Sequence, residues 1–257
     1  MRGAEVPAQT VVRESARPVF LRGEARAALL LHGLGGTPRE MTALGVRLHA
    51  EGFTVSIPRL PGHGTNGEDF MRRGWRDWLA AATEAYDELR ARSDRIFLAG
   101  LSMGGDLAVV LASRLPFQRI ALIAPALRVK NPLLAIAPVL RPFIKRVRTP
   151  LAETYEDEDD RYMAEEYWSW RYTGPLAELL ALQRMAVRAL PRIRVDTLTV
   201  IGTADRAVPL SVLRLVASRV GARTERLVLE GCGHRVFRET CGEVACAEIA
   251  RWFAETG

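Results

Sequence analysis

A mainly parallel, doubly wound α/β sheet is the fold this sequence predicts. Two patterns carry the expectation. Short apolar runs of strand length alternate along the chain with longer segments of helical period. The runs are apolar on both faces, as strands covered by helices on both sides require. The third observation is bulk. With 257 residues, 48% of them hydrophobic and 26% charged, the chain suits one domain, or one domain with an insertion, that buries a full core.

The expected strands follow in order. Residues 27–31 (AALLL) lead into HGLGG, and residues 53–57 (FTVSI) end at Pro58. Residues 95–99 (RIFLA) run into GLSMGG, and residues 119–123 (RIALI) close on Ala124 and Pro125. Residues 196–201 (DTLTVI) precede GTADRAVP, and residues 225–229 (ERLVL) precede EGCGH. Between them, residues 38–51 place Met41, Leu44 and Leu48 at helical spacing, and residues 75–91 do the same with Trp78, Leu79, Ala82 and Leu89. Residues 104–115, 209–220 and 242–253 complete the helices.

Residues 127–190 break the alternation, with helical pattern but no convincing strand. They hold a proline-punctuated basic stretch (Pro132, Pro138, Pro142, Lys145, Arg146, Arg148, Pro150) and an acidic run over 156–160. An aromatic cluster follows: Tyr162, Tyr167, Trp168, Trp170 and Tyr172. The segment reads as a helical cap inserted over the carboxyl edge of the sheet, where such folds bind ligands. Residues 1–126 and 191–257 are then the core.

Composition narrows the function classes. The formal net charge of +6 does not predict a nucleic-acid partner. The basic residues are scattered, Lys occurs only at Lys130 and Lys145, and no nucleic-acid motif is present. No stretch approaches the ~20 apolar residues of a membrane span. The N-terminal MRGAEVPAQTVVRESARPVF lacks the continuous apolar segment of a signal peptide. A cytoplasmic protein with no integral membrane span is expected. Cys232, Cys241 and Cys246 are odd in number and lack CxxC spacing, which predicts small half-buried thiols rather than a disulfide framework or a zinc site. HGLGG carries neither a following G-K-[ST] nor G-x-G-x-x-G spacing, so no phosphate loop is read there. No cofactor and no metal are expected.

The chemistry stands at the strand ends. Gly100-Leu101-Ser102-Met103-Gly104 is G-x-S-x-G between a strand and a helix. That context forms a sharp turn which exposes a serine hydroxyl, with glycines letting strand and helix approach. A hydroxyl is a poor nucleophile until a base takes its proton. His234, in the loop after the last strand, is the candidate base. His32, His49 and His63 precede Ser102, whereas the order Ser, Asp/Glu, His belongs to this arrangement. Bracing or packing roles suit those three better. Asp205, just past a strand end, is the candidate partner that fixes the tautomer of the base. Asp196 lies at the wrong end of that strand, and Glu230 is a weaker rival. Oxyanion donors are expected from the backbone N–H groups of Met103, after the nucleophile, and Leu34, in HGLGG.

Taken in order, HGLGG, PRLPGHG, WRDW, GLSMGG, GTADRAVP and GCGH resemble the pattern of the α/β-hydrolases, over roughly Ala27 to Phe253. More narrowly, the chain resembles bacterial carboxylesterases and monoacylglycerol lipases. The resemblance implies a serine hydrolase that needs no cofactor and carries a small helical cap. It also implies a triad of Ser102, Asp205 and His234, with Leu34 and Met103 forming the oxyanion hole. Leu34 stands where the group often has phenylalanine, and the cap is longer, with its own acidic run. The expected substrates are small-molecule carboxylic esters of short to medium acyl chains, monoacylglycerols among them. Amide, peptide or C–C bond hydrolysis by the same triad is the alternative, and a non-catalytic binding protein is the reading from another class.

Overall fold

The computed structural model describes residues 11–149 and 157–255. Residues 1–10, Pro150 of the basic stretch and Glu156 of the acidic run lie outside them.

The core sheet contains β1 (Val19–Leu21), β2 (Arg26–Leu31), β3 (Thr54–Ile57), β4 (Arg95–Leu101), β5 (Ile120–Ile123), β8 (Thr197–Gly202) and β9 (Thr224–Leu229). Their spatial order is β1-β3-β2-β4-β5-β8-β9, all parallel except β1, which runs antiparallel to β3. The helices flanking it are α1 (Arg39–Ala50), α3 (Trp75–Arg90), α4 (Met103–Ala112), α8 (Ser211–Ala217) and α9 (Gly242–Ala254), with a short α2 (Gly67–Met71) preceding α3.

Strand alternation sorts the apolar side chains into two cores. Ala27, Leu29 and Leu31 of β2 join the cluster beneath α3, α4 and α8. Ala28 and Leu30 join the other cluster, with Met41, Leu44 and Leu48 of α1 and Ile249, Trp252 and Phe253 of α9. A strand buried on both faces must be apolar at every position, which is why β2 reads as an unbroken run. Truncating one of these leucines to alanine costs about 2–5 kcal/mol.

Register places the carboxyl ends of the strands level. Leu31 pairs with Gly100, Leu101 with Ile123, Ile123 with Val200, and Gly202 with Leu229. The loops carrying HGLGG, Ser102, Asp205 and His234 therefore emerge along one edge.

The segment between β5 and β8 holds α5 (Leu133–Leu140), β6 (Arg146–Arg148), α6 (Glu158–Met163), β7 (Trp170–Tyr172) and the long α7 (Thr173–Ala189). β6 and β7 pair antiparallel, a ribbon in a region where no strand was expected. Its strands, RVR and WRY, carry charge at the positions an apolar run would need. β1 and α2 were not expected either. VFL is too short to stand out as a run, and α2 rests on Asn66, whose side chain caps Glu68 and Asp69, rather than on a periodic apolar face.

One buried group works against the fold. Asp106 in α4 is fully buried, and among the described residues neither carboxylate oxygen has a hydrogen-bond partner. Burial holds its pKa well above the usual carboxylate range. In the unfolded chain the group ionises near pH ~3.9. The folded state thus binds the proton more tightly, and stability falls as pH rises from that value towards the folded pKa. Asp106→Ala is expected to remove this slope and to raise stability at neutral pH by about 1–3 kcal/mol. Thermal melts of both proteins across the acid-to-neutral range check it. A variant that melts lower than wild type throughout contradicts it.

Candidate active site

Ser102 sits between β4 and α4 with φ of 55° and ψ of −114°. Only Ser102 and Ala124, among the described non-glycine residues, have positive φ. Such a backbone costs about 1–3 kcal/mol and must be held from outside. Ser102 N–H donates to the Ile123 carbonyl (2.8 Å), and its own carbonyl accepts from Gly105 (2.9 Å) and Ala126 (3.1 Å). The flanking glycines are steric necessities. A Cβ on Gly100 would lie 2.2 Å from the Gly104 carbonyl oxygen, and one on Gly104 would lie 2.2 Å from that of Leu31.

Asp205 lies in the loop after β8. Its Oδ2 accepts from His234 Nδ1 at 2.8 Å, and its Oδ1 accepts from the N–H groups of Ala207 (2.7 Å) and Val208 (2.8 Å). Its side chain is fully buried. Burial opposes ionisation, but the histidine and the two N–H donors outweigh it and hold the carboxyl below its usual pKa. The bond to Nδ1 leaves Nε2 of His234 free to take a proton. Glu230 instead accepts from the Thr203 hydroxyl.

The N–H of Leu34 has no acceptor among the described residues, and the N–H of Met103 opens α4, where helix donors are unpaired. Glu40, which sequence reasoning passed over, stands behind this loop. Its Oε2 accepts from Gly33 N–H (3.0 Å), and a Cβ on Gly36 would lie 2.0 Å from that oxygen. T-P-R-E, a capping-box spacing that here serves the preceding loop, was the available signal.

The remaining histidines brace loops. His32 Nε2 accepts from Leu60 N–H (3.1 Å), so its proton sits on Nδ1 and donates to the Gly33 carbonyl (3.0 Å). His63 lies edge-on to it, with ring centroids 5.0 Å apart. Burial pushes His63 down to about 4 and His32 well below its usual pKa, so both stay neutral. His49, on α1, points Nδ1 at the Phe53 carbonyl.

A cavity of about 660 Å³ lies over Ser102 and His234. Leu34 lines it, and Trp168, Trp170, Leu176 and Leu179 add apolar surface. The aromatic cluster also ties this wall to the core. Tyr167 Oη accepts from Thr65 N–H (2.9 Å) and donates to the Gly62 carbonyl (3.1 Å). Trp168 Nε1 donates to the Gly35 carbonyl (3.1 Å), and the Arg235 guanidinium stacks on its ring at 4.6 Å. Asp160 of the acidic run takes a bidentate pair from Arg238 (2.6 and 2.7 Å). Of the apolar residues over 133–144, Leu133 lines the cavity and Leu134 is buried. Ile136, Val139, Phe143 and Ile144 are exposed. A larger groove, of about 860 Å³, runs along Arg72, Arg76 and Arg141 and does not reach Ser102.

The model of the alpha/beta hydrolase family matches residues 28–248. The chain belongs to the alpha/beta hydrolase family. It is a lipase- and esterase-like member. It is 31% identical over 223 residues to a thermostable monoacylglycerol lipase of Bacillus sp. (strain H-257), covering 86% of each chain. A Bacillus subtilis (strain 168) carboxylesterase is 29% identical over 116 residues, 45% of this chain and 47% of the relative. Among solved structures, one from work on LipS and LipT, two metagenome-derived lipolytic enzymes, superposes with a TM-score of 0.85 at 27% identity, covering 95% of this chain and 99% of the other. No helix among the described residues of this hydrolase is long and apolar enough to cross a membrane.

The thiol expectation needs correction. Cys232 and Cys241 form a disulfide with Cα atoms 6.1 Å apart, within the usual span. The turn after β9 carries the chain back to the start of α9, which brings the two together although no motif marks them. Cys246 is the buried free thiol, pushed up to about 11 by its burial. The bridge closes the loop that carries His234. A loop this short contributes about 2–3 kcal/mol in the chain-entropy account. Reductant, or Cys232→Ser with Cys241→Ser, is expected to lower the melting temperature of the hydrolase. Identical melting with and without reductant, with Cys232 and Cys241 both alkylated once the protein is unfolded without reductant, contradicts the bridge.

Proposed function

We propose that this hydrolase cleaves carboxylic esters through an acyl-serine intermediate at Ser102. The observation that carries the reading is the Asp205–His234 hydrogen bond at 2.8 Å, beside a cavity shared by His234 and Ser102. Ser102 Oγ attacks the ester carbonyl while His234 takes its proton, and Asp205 holds the imidazolium that forms. The N–H groups of Leu34 and Met103 receive the oxyanion, preorganised before charge develops. His234 then protonates the departing alcohol. Water, activated by the same histidine, releases the acid.

Residues 127–190 act as the cap over this chemistry, and residues 1–126 and 191–257 as the core. Short to medium linear acyl chains, monoacylglycerols included, are the preferred substrates. The apolar cavity wall supports this, since each buried methylene contributes ~0.8 kcal/mol. Three long acyl chains, as in triolein, exceed what a site of about 660 Å³ admits.

Ser102→Ala, Asp205→Asn and His234→Ala are each expected to reduce ester hydrolysis by about 10⁴-fold or more, with double variants adding little because the three act as a unit. Near wild-type turnover by folded Ser102→Ala removes the assignment. In a p-nitrophenyl ester series from acetate to palmitate, kcat/KM is expected to rise over the first few added carbons, about a hundredfold for four, then level off. A monotonic fall from acetate, or triolein as best substrate, contradicts the acyl site.

A further inference from the structure

The charge of the cavity says more about the substrate than its apolar wall does. Lys130, Arg171 and Arg206 all line it, and among the described residues no carboxylate side chain does. Elsewhere in the molecule two of the less exposed arginines are matched by carboxylates, while Arg26 and Arg59, also partly buried, donate to backbone carbonyls. Arg119 pairs with Glu255, and Arg238 with Asp160.

The cavity cations have no carboxylate partner among the described residues, and unlike Arg26 and Arg59 they gather around one site. Arg171 of β7 is partly buried and donates to the Trp168 carbonyl at 3.2 Å, with no ion pair among the described residues. Burial lowers its pKa, the mark of a guanidinium kept from water without a compensating anion. Arg206 follows Asp205 in the chain, is exposed, and has no carboxylate partner among the described residues. Lys130 Nζ donates to the backbone carbonyl of Asp205 at 2.7 Å. Lys130 and Arg206 therefore stand beside the acid that holds His234. All three cations share the cavity with Ser102 and His234, and since its apolar wall suits the acyl chain, the alcohol part of the ester is left to meet the charged groups.

We propose that the ester cleaved here carries an anionic group, a phosphate or a carboxylate, on its alcohol part. The proposal rests on the esterase reading of the site and names its substrate class. The apolar wall takes the acyl chain, and Lys130, Arg206 and Arg171 take the anion. In a concave site with low-dielectric walls, cations of one sign raise the local concentration of such a substrate as well as its affinity.

The test compares three esters with the same medium-length acyl chain, each below its aggregation concentration: a monoacylglycerol, the corresponding acylglycerol phosphate, and the acyl ester of glycerate. At low salt, kcat/KM for an anionic ester is expected to exceed that of the neutral one by about tenfold or more. The ratio narrows as salt is added. It falls towards one in the Lys130→Gln, Arg206→Gln variant, whose substituted side chains are both exposed, so that thermal melts check its fold. Preference for only one of the two anions supports the proposal and assigns the anion. A neutral ester cleaved as well as both anionic ones overturns it, as does a preference untouched by salt and by the double variant. Failure to cleave any of the three esters overturns the esterase reading itself.

Discussion

The site depends on one strained residue. Ser102 is held at φ 55°, where a side chain crowds its own backbone, and it stays there because its surroundings leave no alternative. β5 receives its N–H, the first turn of α4 and the chain beyond β5 donate to its carbonyl, and Gly100 and Gly104 leave no room for a Cβ. Each of these requires β4 to be central in the sheet with α4 laid tightly upon it. An edge strand has one neighbour, whereas this turn bonds to β5 on one side and packs Gly104 against the end of β2 on the other.

From that constraint the rest of the edge follows. The level register of β2, β4, β5, β8 and β9 delivers four loops to one place, although their residues are far apart in the chain. The Asp205 carboxylate, saturated by two backbone N–H groups and the histidine, gives His234 a fixed ring orientation. The disulfide anchors the far end of the His234 loop, and Trp168, Tyr167 and Asp160 fasten the β5–β8 segment above it. Disulfides belong to oxidising compartments or to heat-adapted intracellular proteins, so the bridge makes the compartment of this chain a physical question about its redox state.

Much of this was legible because it is written locally. Buried parallel strands must be apolar throughout, so β2, β4, β5 and β8 announce themselves, and a tight strand-to-helix turn must use glycine, so the Ser102 elbow does too. What was not legible is long-range or too short to be periodic. β1, α2 and the β6–β7 ribbon are stabilised by neighbours rather than by their own pattern. The Cys232–Cys241 bridge depends on how a turn folds back. Glu40 serves a loop that precedes its own helix. Lys130, Arg171 and Arg206 come from three separate elements, and nothing in their local sequence says that they share a cavity.

The central claim is that the strained elbow makes Ser102 a nucleophile driven by His234. Mass spectrometry of the folded protein after treatment with a fluorophosphonate tests it most directly. The account predicts one adduct, on the peptide carrying Ser102, formed in step with the loss of ester hydrolysis and suppressed in His234→Ala. Labelling of another residue, or full activity retained with Ser102 modified, would contradict it.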